Sequence, residues 1–329
     1  IQKEEIQMRN LKRALSLALA AIMLIGMMVV SASAASYNNL TDKDEIVNKD
    51  AVSMLVSLGI IEGKPDGSYG PTENVDRAQM AKMLSVIMNK GVDNSALYQS
   101  VNSGLVDVNT NWAKGHINYC YTTGIIAGRG NGKFDPSATV TALEAAKMLL
   151  VAVGYDPAIE GFEGADWAIN VSVRADEQGI FEGFTKDLSA PLNRDDAALL
   201  IYNALDVEMI QSYTTNNYPI AYSDHRTILA DKYGVIKVEG VVTANEWAIL
   251  DDDTDTALQE GKTRIYNPDG ILSTTGNTAV AQDSSANVKT QVFNVSTPVD
   301  MLGKAVTMYV KKTTILADST VYGAPVVSD

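Results

Sequence analysis

Sliding the chain along itself by 65 residues lays Gly59-Ile60-Ile61 on Gly124-Ile125-Ile126, Gly63 on Gly128, Gly67 on Gly132, Tyr69 on Phe134, Pro71 on Pro136 and Val75 on Val140. The ungapped match runs on to Ala81-Lys82-Met83-Leu84 over Ala146-Lys147-Met148-Leu149, with 11 identities in the 26 positions from 59 to 84. A third copy starts at Gly179-Ile180-Phe181, 55 residues past the second, and resumes at Leu192-Asn193-Arg194 after a turn three residues shorter. Trp112 and Trp167 each stand 12 residues before the Gly-Ile pair of their copy, and Val47 holds that place in the first. Self-similarity at this period means equivalent supersecondary pieces that bury their apolar faces against one another.

Each copy reads as helix, loop, helix. Val47, Ala51, Met54, Leu55 and Leu58 recur at helical spacing, and Gly59 stands where a left-handed cap ends the helix, with Ile60 folding back beyond it. The loops carry Asp66-Gly67 and Asn131-Gly132, turn dipeptides that suit positive φ. Asp76, Thr141 and Asn193 are good N-caps for the second helix, and Gln79, Glu144 and Asp196 follow three residues later. Capping boxes are expected, the third imperfect because Asp is shorter. Met80, Met83, Leu84 and Ile87 form the apolar face behind the first of them. Cys120 aligns with Leu55 on the apolar side of a first helix, so a buried, inert thiol is expected. His116 aligns with Ala51, and nothing in the sequence pairs it with a nucleophile.

Composition narrows the partners. With 26 basic against 40 acidic side chains the formal charge is −14, which excludes surface-wide attraction to nucleic acid; an anionic partner needs a local cationic pocket. A single cysteine cannot form an internal disulfide, and two histidines leave little material for a metal centre, so no metal and no cofactor is expected. From Met8 the order is basic (Arg9, Lys12, Arg13), apolar (Ala14 to Val30), then Ala32-Ser33-Ala34-Ala35. Residues 8–34 therefore read as a secretory signal peptide cleaved after Ala34, and residues 1–7 as an upstream extension. The alternative, a retained anchor, would use an apolar run at the lower limit for a membrane span. After cleavage the product is secreted, with no membrane span.

Three tandem units with Trp at the head, a Gly-Ile-x-x-Gly loop, Phe or Tyr two before Pro, and an Arg just inside the second helix resemble S-layer homology domains. The resemblance covers residues 38–98, 99–157 and 158–210. It implies a pseudo-threefold helical bundle whose grooves bind secondary cell-wall polysaccharide, often pyruvylated, and so tether exported proteins to the Gram-positive envelope. The family's Thr-Arg-Ala-Glu signature appears here as Asp76-Arg77-Ala78-Gln79, Thr141-Ala142-Leu143-Glu144 and Asn193-Arg194-Asp195-Asp196.

Helix capping explains the first and fourth positions of that signature. The arginine is different, because a cation in the first turn faces the positive end of the helix dipole at a cost of about 0.3 kcal/mol or more. A guanidinium beside free backbone N–H groups would concentrate donors for a carboxylate such as a pyruvyl ketal presents. Arg77 and Arg194 are thus assigned to polysaccharide binding, and the groove that relies on Ala142 is expected to be weak or empty. Trp112 and Trp167 suit either a core-filling role, which Val47 in the first unit favours, or a platform for a sugar ring. Asp107 resembles the family's acidic position, which could accept sugar hydroxyls; turn capping explains it equally well. By resemblance Asp107, Trp112 and Trp167 complete the binding set.

After residue 210 the pattern changes. Residues 211–230 are polar and turn-prone, a linker or edge segment. Val235 to Thr243, Trp247 to Leu250, Thr263 to Tyr266, Val288 to Val295 and Ala305 to Lys311 alternate as strands, making 231–329 a β-rich domain that the missing polar tail suggests is truncated. Asp251, Asp253 and Asp255 mimic the start of a calcium loop, but Thr256 and Lys262 stand where Gly and Glu belong, so an acidic turn is expected.

The expected fold class is α + β multidomain, with the bundle of three repeats followed by the β-rich domain. Two functions follow. The first is a noncatalytic surface or S-layer-like protein anchored through wall polysaccharide and able to pack with copies of itself in a lattice. The second is an anchored extracellular polysaccharide hydrolase whose catalytic domain lies downstream of residue 329. Residues 231–329 hold no recognisable catalytic constellation.

Overall fold

The computed structural model describes residues 37–250, 256–271, 288–311 and 319–328. The signal segment and Asp251, Asp253 and Asp255 lie outside them.

Six α-helices come first among the described residues: α1 (Lys49–Ser57), α2 (Arg77–Met88), α3 (Lys114–Thr122), α4 (Ala142–Val153), α5 (Trp167–Glu177) and α6 (Arg194–Leu205). The even-numbered helices open on the expected caps. Asp76 and Thr141 make complete capping boxes with Gln79 and Glu144. Asn193 accepts from the Asp196 N–H without the reciprocal bond, because the shorter Asp196 side chain goes to Lys186 instead. The odd-numbered helices end alike. Gly59, Gly124 and Gly179 take φ of 70°, 78° and 69°. The Ile that follows each donates back to Leu55, Cys120 or Ala175, the bond that closes a Schellman motif.

The helices pack in a ring: α2 on α3, α4 on α5, and α6 back on α1. At its centre three buried residues, each just ahead of an even-numbered helix, hydrogen-bond in a circle. Val140 N–H donates to Val75, Leu192 to Val140 and Val75 to Leu192, at 2.9, 2.7 and 2.8 Å. Backbone donors of this kind, buried away from water, must find protein acceptors, and each unit supplies the next.

Residues 211–230 are not a bare linker. Ile210–Tyr213 (β1) and Pro219–Ala221 (β2) form an antiparallel hairpin, and Ile228, Leu229 and Tyr233 join the helical core. A five-stranded antiparallel sheet follows, in the order β5-β4-β3-β6-β7, from Val235–Ala244 (β3), Thr263–Tyr266 (β4), Thr290–Phe293 (β5), Ala305–Lys311 (β6) and Val321–Val327 (β7). One face holds its own core of Ile236, Val238, Val242, Ile265, Phe293, Val306, Met308 and Val310. Val235 and Tyr309 instead enter the helical core, where Tyr309 meets Tyr202 edge-on at 5.8 Å. The stretch Trp247 to Leu250, expected as a strand, is a turn: the Asn245 side chain accepts from the Trp247 and Ala248 N–H groups. No helix among the described residues is long and apolar enough to cross a membrane.

Candidate functional site

The ring places each even-numbered helix against the loop of the following unit. Arg77, at the start of α2, is 4% exposed. Its Nε donates to the Phe134 carbonyl and its Nη2 to the Ala127 carbonyl, both at 2.8 Å, and the guanidinium carbon stands 4.4 Å from the Phe134 ring centroid. Arg194, at the start of α6, repeats this on the first unit's loop. Its Nε donates to Tyr69 at 2.8 Å, Nη2 reaches Glu62 at 3.3 Å, and the carbon lies 4.7 Å from the Tyr69 ring centroid.

Two parts of the sequence argument are corrected here. The first-turn N–H groups are not free for a carboxylate. Those of Arg77 and Ala78 donate to Ala138 and Pro136, and those of Arg194 and Asp195 to Glu73 and Pro71. Nor does a ligand alone account for the arginines, since two carbonyls and an aromatic face offset the unfavourable dipole. Both guanidiniums nevertheless contact only uncharged acceptors: neither forms an ion pair within 4.0 Å among the described residues, and neither Nη1 has a hydrogen-bond partner there. Burial, with Arg129 nearby, pushes the Arg77 guanidinium down from its ordinary value, which still leaves it cationic.

Beside each arginine is an open cleft. The first, about 220 Å³, is walled by Ile60 to Lys64, by Gln79, Lys82 and Met83 of α2, by Trp112 and by Arg194. The second, about 390 Å³, is walled by Ala127 to Arg129, by Glu144, Lys147 and Met148 of α4, by Trp167 and by Arg77. The loop and helix walls correspond at the 65-residue offset, and the tryptophans and arginines hold equivalent places in their own units, so each cleft combines three units. One gives the arginine, the next the loop and second helix, and the one after that the tryptophan.

Trp112, 58% exposed, is a cleft wall and not core, because it sits on the turn before α3; Val47, its counterpart, is 81% exposed. Trp167, at the head of α5, is half-buried, and the Lys147 ammonium lies 5.8 Å from its ring centroid. Asp107 lines neither cleft. Its carboxylate accepts from the Phe134 and Asp135 N–H groups at 2.9 and 2.8 Å, as Asp42 does from Tyr69 and Gly70 at 2.7 and 2.8 Å. Asp107 is a loop clamp, the turn-capping alternative. The structure thus joins Arg77 with Trp167 and Arg194 with Trp112, and leaves Asp107 outside.

Lys82 and Lys147 escaped the sequence reading. Both are cations inside the clefts, Lys82 3.7 Å from Glu62 and Lys147 donating to the Phe162 carbonyl at 2.5 Å. Burial pushes the Lys147 ammonium down, with Glu163 opposing. Their signal was an identical lysine retained on an otherwise apolar helix face. One contact of His116 also escaped the sequence reading: Ser85 Oγ lies 2.6 Å from its Nδ1. That serine is buried within α2, closed to any substrate.

The third position in the ring differs throughout. Counting from the caps, Ala142 replaces the arginine, Leu199 replaces Lys82 or Lys147, and Lys186 replaces the aromatic ring; counting from the glycine that ends the preceding helix, Phe184 replaces Lys64 or Arg129.

The family model of the S-layer homology domain matches residues 39–81 and 106–146. A cell surface protein of Thermoanaerobacter kivui is 28% identical over 270 residues, 81% of this chain and 32% of that protein. An S-layer protein of Bacillus licheniformis is 33% identical over 113 residues, 34% of this chain and 12% of that protein. An amylopullulanase of Thermoanaerobacterium thermosulfurigenes is 31% identical over 172 residues, 48% of this chain and 9% of that protein. The chain spans a third or less of the length of these curated relatives. Residues 39–81 and 106–146 are S-layer homology domains, and the chain that carries them is a secreted protein of the cell wall or cell surface.

Proposed function

We propose that the chain holds a surface protein noncovalently on the cell wall by taking acidic groups of a secondary cell-wall polysaccharide, pyruvyl ketals in particular, into its two clefts. Residues 158–210 act as a third S-layer homology repeat, a reading supported by the closed backbone ring. The observation that carries the function is the twofold recurrence of one cleft chemistry: an arginine without a carboxylate partner, a lysine one helix turn inside, and a tryptophan opposite. Such a cleft suits a sugar with one carboxylate, which binds the cations while its apolar face lies on the indole. Two moderate sites on one rigid ring capture a repeating polymer by avidity, reversibly.

Depyruvylation of the ligand leaves the protein's fold untouched, so it tests the reading better than removing arginines that also hold loops. Purified pyruvylated polymer should sediment with the chain and the depyruvylated polymer should not; equal binding of both would discard the acidic-group assignment. The similarity to an amylopullulanase favours a second reading, in which the same anchor serves an extracellular polysaccharide hydrolase with its catalytic domain elsewhere in the protein.

A further inference from the structure

The two clefts are matched in their walls but not behind them. Four residues beyond the tryptophan stands His116 behind the first cleft and Val171 behind the second, both on the buried side of their helices, with Ala51 at that place in the remaining unit. His116 is 4% exposed and its ring lies 6.4 Å from Trp112, edge to face. Ser85 Oγ stands within hydrogen-bond reach of both the Lys82 carbonyl, at 2.9 Å, and His116 Nδ1, at 2.6 Å. On the other side of the ring Nε2 faces Asp93 Oδ2 at 3.6 Å, so the buried imidazole sits between a hydroxyl and a carboxylate.

We propose that the first cleft is a proton-linked binding site: a proton taken up by the His116 ring strengthens capture of a carboxylate-bearing sugar between Trp112, Lys82 and Arg194, while the second cleft binds independently of pH. The inference rests on the glycan reading above and concerns the regulation of that site.

The proton has a place to go. Protonation makes the imidazole a cation beside Asp93, an ion pair that offsets that carboxylate's negative field on the cleft wall. The groups facing His116 are Lys82 and Ser85 from α2, Asp93 after that helix, Trp112 before α3 and Cys120 one turn on. Burial pushes the imidazole below its ordinary value, Asp93 pulls it up and Lys82 pushes it down, so the step falls on the acid side of about 6.5. Burial raises the Cys120 thiol far out of this range, and the thiol stays neutral. A positive charge added behind the cleft wall, at an intermediate dielectric, changes affinity for a carboxylate by roughly three-fold. The linkage is reciprocal, so a bound anion must also raise the midpoint of His116.

The test uses NMR on the whole chain, with a methyl glycoside carrying a pyruvyl ketal as probe. The indole N–H signals of Trp112 and Trp167 report the two clefts separately, at pH 8 and pH 5. The expected result is a dissociation constant roughly three-fold lower at pH 5 from Trp112 and unchanged from Trp167. In the same chain, without any substitution, the His116 ring titrates at a higher midpoint when probe is present. His116→Val, which copies Val171, removes the step. Equal constants at both pH values from Trp112 would overturn the inference and leave the glycan reading standing. Failure of either indole to respond at either pH would overturn the glycan reading itself, and this inference with it.

Discussion

Tyr69 and Arg194 hold each other from both ends: the guanidinium Nε donates to the Tyr69 carbonyl at 2.8 Å, and the Tyr69 hydroxyl donates to the Arg194 carbonyl at 2.7 Å. This reciprocal clasp joins the last unit to the first. The equivalent pair between the first two units, Arg77 and Phe134, has the same ring and carbonyl contacts without a hydroxyl. Tyr69→Phe therefore keeps the arginine seated and deletes one buried hydrogen bond. Denaturant unfolding should show a loss of about 1 kcal/mol. No change would mean the hydroxyl contributes nothing to closing the ring.

The lysines separate binding from stability. Lys82 is part-exposed and its Glu62 contact is long, so Lys82→Met should shift stability by no more than about 0.5 kcal/mol. Losing a charged donor from the first cleft should weaken its affinity for a carboxylate sugar roughly ten-fold. Lys147→Met should weaken the second cleft comparably, and also cost about 1 kcal/mol because the Phe162 carbonyl loses its donor. Titration calorimetry and denaturant midpoints on the two variants check both halves.

The repeat made much of this legible. Caps, glycine turns and apolar faces are local chemistry, and Asp76, Thr141, Gly59, Gly124 and Cys120 stand where one-dimensional reasoning put them. What failed was long-range. That Arg77 would serve the loop of the following unit depends on how the units close on each other, and no spacing within one unit encodes that. Val47 argues for a core role at Trp112, yet both side chains are exposed, each on the segment just ahead of its odd-numbered helix. Ser85 and His116 meet across two helices, 31 residues apart, beyond any local pattern.

Two loop clamps give the fold an acid limit. Burial opposes ionisation of Asp42 and Asp107, but the backbone N–H groups of Tyr69 and Gly70, or of Phe134 and Asp135, outweigh it and hold both carboxyls below the ordinary range. A depressed folded-state value means the native chain binds fewer protons than the unfolded one, whose carboxyls titrate near about 3.9. Stability from these clamps is thus complete above that value and is lost as pH falls through the lower, folded one. Asp107→Asn should lower the urea midpoint at pH 6 and flatten its decline between pH 5 and pH 2.5. An unaltered slope would remove Asp107 from the account.

The third position in the ring offers the sharpest contrast. Ala142 is fully buried where Arg77 and Arg194 stand in the other two contacts, so Ala142→Arg copies the missing cation. Arg77 tolerates burial because carbonyls and the Phe134 ring replace water around it. The residue seven before the cap is Phe134 or Tyr69 in the other units and Lys186 here, which is already paired with Asp196. A guanidinium at 142 would meet a like charge in place of an aromatic face. Ala142→Arg alone should therefore destabilise the chain by about 1–3 kcal/mol and create no new binding. Ala142→Arg combined with Lys186→Phe should recover most of that loss, because the ring supplies the missing partner. Binding should still require Leu199→Lys, which returns the ammonium that Lys82 and Lys147 provide. Stoichiometry by calorimetry reads the result: two sugar sites in the parent and in Ala142→Arg, and three only when all three changes are combined with Val47→Trp, which supplies the indole that Trp112 and Trp167 give the other clefts.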